Sequence, residues 1–164
     1  MLWVRSYRSD PKARVVADRH YSRQKPGTHG FVPPGRCLVL YAEREGNAAY
    51  WVTSWPFAQY VRHAWAGAWV CSAFRNEGVA LSSDMIVDAV AATKAFFGQP
   101  PDLGMITFVD TGKTRKKRDP GRCFRKAGFR LAGETAGGLI ALRLSPEDMP
   151  PAEPAIEPQL LLAI

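Results

Sequence analysis

The chain is short of acid, short of cysteine and without a long apolar run. Against 22 Lys and Arg it sets 15 Asp and Glu, a formal charge of +7 with a pI near 9.6. That balance favours a polyanionic partner, because each cation laid on a phosphate releases condensed counterion. No apolar stretch approaches the ~20 residues that a membrane-spanning helix requires. The start, MLWVRSYRSDPKAR, carries charges throughout and does not read as a secretory leader, so the expectation is a cytoplasmic protein with no membrane partner. Cys37, Cys71 and Cys123 are distant from one another and lack CxxC spacing, which argues against a disulfide framework and a cysteine-rich zinc site and predicts reduced, mostly buried thiols. HExxH, Walker-type and GxSxG patterns are also missing, excluding the common metalloprotease, NTPase and hydrolase readings.

What is present is enough for one domain: 164 residues, 46% hydrophobic and 23% charged. Leu2 to Tyr7 reads as an edge strand, and Asp10-Pro11 as the cap and first turn of a helix toward His20 with Val15, Val16 and Tyr21 inward. Pro and Gly break residues 24–36 into a long loop. Cys37 to Ala42 and Ala48 to Ser54 predict a hairpin, and Ala68 to Phe74 a central strand. Ser82, Ser83 and Asp84 are the expected caps of a helix whose Ile86, Ala89, Val90, Thr93 and Phe97 share one face. Gly104 to Val109 predicts a buried strand, Gly121 to Ala127 a short helix, and Phe129 to Gly133 with Leu139 to Leu144 a closing pair. The sum is an α/β (α+β) domain over residues 1–145, a mixed sheet covered by helices. Residues 146–164 form a Pro-rich acidic tail, expected to be disordered unless its apolar end docks.

Chemistry-bearing residues gather after the fifth expected strand. Asp110 stands at its end, and Lys113, Arg115, Lys116, Lys117 and Arg118 follow, with Arg122, Arg125 and Lys126 beyond. Such a loop at the carboxyl end of a strand predicts phosphate contacts, those of DNA or of a coenzyme A pyrophosphate. The bland alternative is a solvated loop kept soluble by repulsion. Asp110 is the first candidate for a general base, with a turn or cap role as its alternative. His20 and Tyr21 bring an imidazole and a phenol to a helix end. Arg75-Asn76-Glu77-Gly78-Val79-Ala80 matches the R-x-x-G-x-A pattern that cradles a pyrophosphate in many acyltransferases, which makes Arg75, Asn76, Gly78, Ser82 and Ser83 candidate cofactor contacts. Arg75 has Glu77 as an alternative partner. Trp51, Trp55, Trp65 and Trp69 lie close in sequence, and an exposed ring among them could stack on an extruded base.

His20-Tyr21-Ser22, Phe74-Arg75 ahead of a serine-started helix, Thr107-Phe108-Val109-Asp110 and Phe124-Arg125-Lys126-Ala127-Gly128-Phe129 together resemble the phage Mom family of DNA-modification proteins, distant members of the GNAT acyltransferase superfamily. The resemblance spans about residues 15 to 133. It implies a GNAT-like, mostly antiparallel sheet with helices on both faces, and conversion of adenine in DNA to a carbamoylmethyl form that protects phage DNA in a bacterial host from restriction. It further implies site roles for His20 and Tyr21, an anion or substrate clamp at Arg75, a helix-start donor at Ser83, a base or ligand at Asp110, and an acyl or glycyl donor. Acyl-CoA is a possible cofactor on this resemblance, and metal dependence is left open. The chain departs from the family at Phe124, where a tyrosine is usual, so any role of that hydroxyl is lost or moved. Two other classes stay open: a GNAT N-acetyltransferase acting on an amine of a hypermodified base, small molecule or protein, and a non-catalytic DNA-binding protein on the same fold.

Overall fold

The computed structural model describes residues 1–20, 25–28, 30–113 and 119–159. Its described elements form a mixed α/β fold: one seven-stranded, mostly antiparallel sheet with three α-helices. In chain order they are β1 (Val4–Arg5), α1 (Pro11–Ala17), β2 (Arg36–Arg44), β3 (Asn47–Trp55), β4 (Trp69–Asn76), α2 (Ser82–Phe97), β5 (Met105–Val109), α3 (Arg122–Lys126), β6 (Arg130–Glu134) and β7 (Ile140–Leu144). Strand order across the sheet is β1-β2-β3-β4-β5-β7-β6, so β4 is central, as its apolar sequence predicts.

Local chemistry explains the ends of these elements. Asp10 Oδ1 accepts the Lys12 amide at 2.9 Å and Pro11 supplies the first turn of α1. The helical stripe Ala13, Val16, Ala17 is buried, whereas Val15, expected inward, lies off that stripe and is exposed. The β2–β3 turn places Glu45 at φ 52° and Gly46 at φ 80°, the left-handed pair of a type I′ hairpin that matches the strand twist. Helix α2 buries Met85, Ile86, Ala89, Val90 and Thr93 and stops at Gly98. Its start differs from expectation: Leu81 occupies the N-cap position and no side chain caps the helix, because the Ser82 hydroxyl accepts from Asn76 Nδ2 at 3.0 Å instead.

One face of the sheet carries the main core, with α2 and α3 over Trp3, Leu38, Leu40, Trp51, Trp69, Met105 and Leu142. Polar groups inside it are largely matched. Trp51 Nε1 donates to Thr53 Oγ1 at 2.7 Å, that hydroxyl meets Thr93 Oγ1 at 2.9 Å, and Trp3 Nε1 donates to the Met85 carbonyl at 2.8 Å. Trp69 Nε1 is the exception among the described residues. The other face carries two smaller clusters, α1 over Val39, Tyr50, Val52 and Ala73, and the 61–68 segment over Ile106 and Ala141.

The segment expected as a disordered tail instead lies along the body over residues 146–159. Ile156 pairs with the edge strand β1, donating to the Trp3 carbonyl at 2.9 Å and accepting from the Arg5 amide at 2.8 Å. Glu157 pairs with Arg5, and Met149 is buried. These contacts cover a sheet edge that would otherwise present unpaired backbone groups. The apolar end, Leu160 to Leu162, lies outside the described residues.

Gly104 tests the packing of β5 against β7. It sits at φ 69°, and a Cβ there would fall 2.0 Å from the Leu144 carbonyl oxygen. Gly104→Ala is expected to cost more than about 2 kcal/mol in denaturant melts, combining left-handed strain with backbone displacement. Gly46→Ala, at φ 80° with no atom within 4 Å, should cost only about 1 kcal/mol.

Candidate functional site

All neighbouring strands run antiparallel except β4 and β5, whose parallel pairing follows from the α2 crossover between them. That pairing holds three register positions, Trp69–Met105, Val70–Ile106 and Cys71–Thr107, and then stops although both strands continue. Two features mark the stop. Thr107 Oγ1 donates to the Cys71 carbonyl at 3.1 Å, and Ser72 is an extra residue in β4, since Cys71 pairs with Thr53 and Ala73 with Val52. Beyond it, β4 ends at Arg75-Asn76 and β5 at Val109-Asp110, side by side at one end of the sheet.

Strand alternation sets the faces. Phe74 and Val109 join the main core, so Arg75 and Asp110 project from the opposite face, the one bearing α1. Arg75 stands across from Tyr50 in register, and the His20 ring meets Tyr50 edge-on at 6.2 Å. Phe31 meets it from another side at 6.1 Å. The structure therefore brings His20, Arg75 and Asp110 to one end and one face. Tyr21 lies outside the described residues.

Glu77, which sequence reasoning named only as a possible Arg75 partner, organises this end. Arg75 Nε donates to Glu77 Oε2 at 2.8 Å, and Arg19 Nε donates to the same oxygen at 2.7 Å while its Nη2 reaches Oε1. The two guanidiniums, Arg19 foremost, hold the Glu77 carboxyl down to about 2 against the opposing pull of burial. Arg75 is thus one of two cations on a shared carboxylate, and half exposed.

The β4–α2 loop does not match a pyrophosphate cradle. Asn76 Oδ1 takes the Val79 amide at 2.9 Å, and its Nδ2 donates to the Ala80 carbonyl at 2.6 Å as well as to Ser82. Gly78, at φ 94°, lies against Asn47, whose Nδ2 donates to its carbonyl at 3.2 Å. Asn76, Gly78 and Ser82, expected to contact a cofactor, therefore hold the loop itself together. Two of the loop amides that could face an anion, those of Glu77 and Val79, are already bonded to the Ala48 carbonyl and to Asn76 Oδ1. Ser83 sits half-buried in the first turn of α2. The residues present do not fit the pyrophosphate of acyl-CoA at this loop.

Asp110 is half-buried at the rim, and its Oδ1 accepts the Gly112 amide at 3.0 Å and the Lys113 amide at 3.1 Å, an Asx turn that launches the basic loop. Lys113 follows it at the surface, and Arg122 and Lys126 are exposed on α3, the helix that packs on the main-core face. Arg125 is anchored instead, paired with Asp119 and donating to the Pro120 carbonyl at 3.1 Å. Arg115, Lys116, Lys117 and Arg118 lie outside the described residues. Phe124, at the family's tyrosine position, is buried among Trp51, Phe74 and Phe129, so its ring serves the core.

The thiols are reduced, and burial pushes Cys71 well above the ordinary range, which removes it as a nucleophile. Among the described residues no three His, Cys, Asp or Glu side chains gather as a metal site, and no helix is long and apolar enough to cross a membrane. Trp51 and Trp69 are fully buried, while Trp55 and Trp65 are half-buried.

Because the carboxyl of Glu77 lies below its unfolded value, the stability it contributes is complete above pH ~4.5 and is lost as pH falls toward 2. Glu77→Gln should destabilise the protein by about 1 kcal/mol at pH 7, a figure kept low by the exposure of both arginines. Repeating the denaturant melts near pH 3 should shrink that difference. An equal penalty at both pH values would contradict the ion-pair account.

Compared with known proteins, the chain matches no family model, no curated protein and no solved structure.

Proposed function

We propose that this protein is a Mom-like enzyme on a GNAT-like fold that modifies the exocyclic amine of adenine in DNA. The observation that carries the reading is the short β4–β5 parallel pairing, with Arg75 and Asp110 projecting from one face just past its end and a run of cations following Asp110. A parallel pair inside an otherwise antiparallel sheet supports the reading, which expects a mixed, mostly antiparallel sheet.

The chemistry follows from the acceptor. The lone pair of an exocyclic adenine amine is delocalised into the ring, so the nitrogen attacks poorly unless its proton leaves as the new C–N bond forms. A carboxylate at the rim of the sheet can take that proton, and Asp110 is the carboxylate at this position. Its Oδ1 is oriented by two backbone amides, which fixes the carboxylate plane. Lys113, Arg122 and Lys126 supply phosphate contacts, and the Arg19–Glu77–Arg75 group braces the end of β4. The donor is of acyl or glycyl class. As the C–N bond forms, the bond from the transferred carbon to the donor's carrier breaks, and the carrier leaves with that electron pair while Asp110 takes the amine proton. The side chain of Asn76 bonds the loop to itself where the pyrophosphate of acyl-CoA would lie.

The engagement of Asp110 Oδ1 by turn amides also favours a second reading, a non-catalytic DNA-binding protein in which this carboxylate only shapes the loop. Nucleosides from DNA of bacteria expressing the chain separate the two. The enzyme reading expects a deoxyadenosine derivative enlarged by a carbamoylmethyl-type group, absent with Asp110→Asn while DNA affinity changes less than about threefold. Unaltered nucleosides with salt-sensitive DNA binding would select the second reading. Stabilisation by acetyl-CoA without any DNA response would select an N-acetyltransferase instead. For binding itself, replacing Lys113, Arg122 and Lys126 together by Gln should flatten the log–log salt slope on duplex DNA by about 0.9 for each phosphate that is no longer neutralised.

A further inference from the structure

The face that bears Asp110 also carries a group of aromatic rings that the fold does not need in full. Phe108 lies two residues before Asp110 on the same side of β5, opposite the main core. His63 lies 5.0 Å from it and Trp65 6.0 Å, ring centroid to centroid, and His63 and Trp65 are 6.0 Å apart. Beneath them are the buried Ala68, Ile106 and Ala141, with the half-buried Val70 packed alongside. Three large rings, all left half-buried, are more than that small floor requires, and covering it with aliphatic side chains would be simpler.

The surroundings point to a ligand that is both flat and anionic. Burial lowers the His63 pKa, and its Nδ1 accepts the Trp65 amide at 3.1 Å, which orients the imidazole beside the indole. Gly133 of β6 lies against the Trp65 indole, where a Cβ would stand 3.3 Å from Cζ2, which seats that ring on the sheet. No acidic residue occurs from residue 46 to residue 76, the span that supplies both rings of the 61–68 segment and the end of β4. Arg62 within it is exposed, and so is Arg130, which stands opposite Arg143 on β6 and β7. A cationic border with no acid over that span favours phosphate beside the rings.

We propose that Trp65, His63 and Phe108 form a stacking shelf for an unpaired nucleobase of DNA, with Arg62 and Arg130 on the flanking phosphates. The inference rests on the DNA-modification reading and says where on the protein the extruded strand lies. Stacking on an aromatic ring tolerates any base, because every base has a π-face, so the shelf holds the strand and leaves base choice to the groups near Asp110.

A single-stranded oligonucleotide carrying 5-iodouracil, irradiated with the intact wild-type protein, should cross-link to the tryptic peptide His63–Arg75. Cross-links confined to other peptides would overturn the shelf. With an oligonucleotide containing 2-aminopurine, the protein should quench the fluorescence of that base on binding. Trp65→Leu should weaken binding on the order of tenfold and abolish the quench, while Trp65→Phe keeps most of both. If Trp65→Leu does not fold, Arg62→Gln and Arg130→Gln serve in its place, each expected to reduce the single-strand salt slope by about 0.7. Wild-type slopes and quench in folded variants would refute the proposal. Modified nucleosides with no cross-link at His63–Arg75 would sink the shelf alone, whereas the cross-link without modified nucleosides would sink the enzyme reading and leave the shelf standing.

Discussion

The three residue pairs that join β4 to β5 are the constraint on which the rest of this structure depends. The crossover through α2 lets these two strands run parallel, while every other neighbouring pair in the sheet is antiparallel. Parallel pairing that ends after Cys71–Thr107 brings two strand ends to the same edge without tying them together. Backbone groups there need other partners. Thr107 satisfies one carbonyl, and Ser72 supplies the irregularity that lets β4 turn away from its register. The main core beneath, where Trp51 and Thr53 of β3 meet Thr93 of α2, packs Trp69, Cys71, Met105 and Val109 of the two strands.

Electrostatics at the same end follow one pattern. Cations exceed acids across the chain, and the acids at this end are placed where they organise backbone or bind arginine. Glu77 ties Arg19 of the segment after α1 to Arg75 of β4, Asp119 ties down Arg125, and Asp110 shapes the turn into the basic loop. Among the exposed cations, Lys113 follows Asp110 directly, Arg62 and Arg130 flank the face with Phe108, and Arg122 and Lys126 stand on α3 on the other side of the sheet. The first three suit a polyanion approaching the face of Asp110 and Phe108 more than a small neutral substrate.

Much of the fold was legible from sequence because its signals were local. Alternating β-rich runs, the Gly46 turn, the helical face of Ile86, Ala89, Val90 and Thr93, and the stop at Gly98 each report a nearest-neighbour preference, and each appears as expected. Asp110 at the strand rim and Arg75 beside Glu77 could also be read from position. What escaped depends on distant partners. Ser82 and Ser83 looked like caps, yet Asn76 claims the Ser82 hydroxyl and Leu81 takes the cap position. Residues 146–159 looked too Pro-rich to order, yet the backbone pairing at Ile156, the Arg5–Glu157 pair and bonds from Lys94 and to Ala91 hold them to β1 and α2. Trp65 was one of four tryptophans marked as a possible stacking ring, but its grouping with His63 and with Phe108, far away in the chain, could not be read locally.

Hydrogen–deuterium exchange with and without DNA bears most directly on the claim that the face past the β4–β5 pairing receives the substrate. Bound DNA should slow exchange in Ser72–Asn76 and in Asp110–Lys113, with α2 beyond its first turn unchanged. Protection confined to the outer side of α2 and to residues 146–157, with β4 and β5 exchanging as in the unbound protein, would contradict the account.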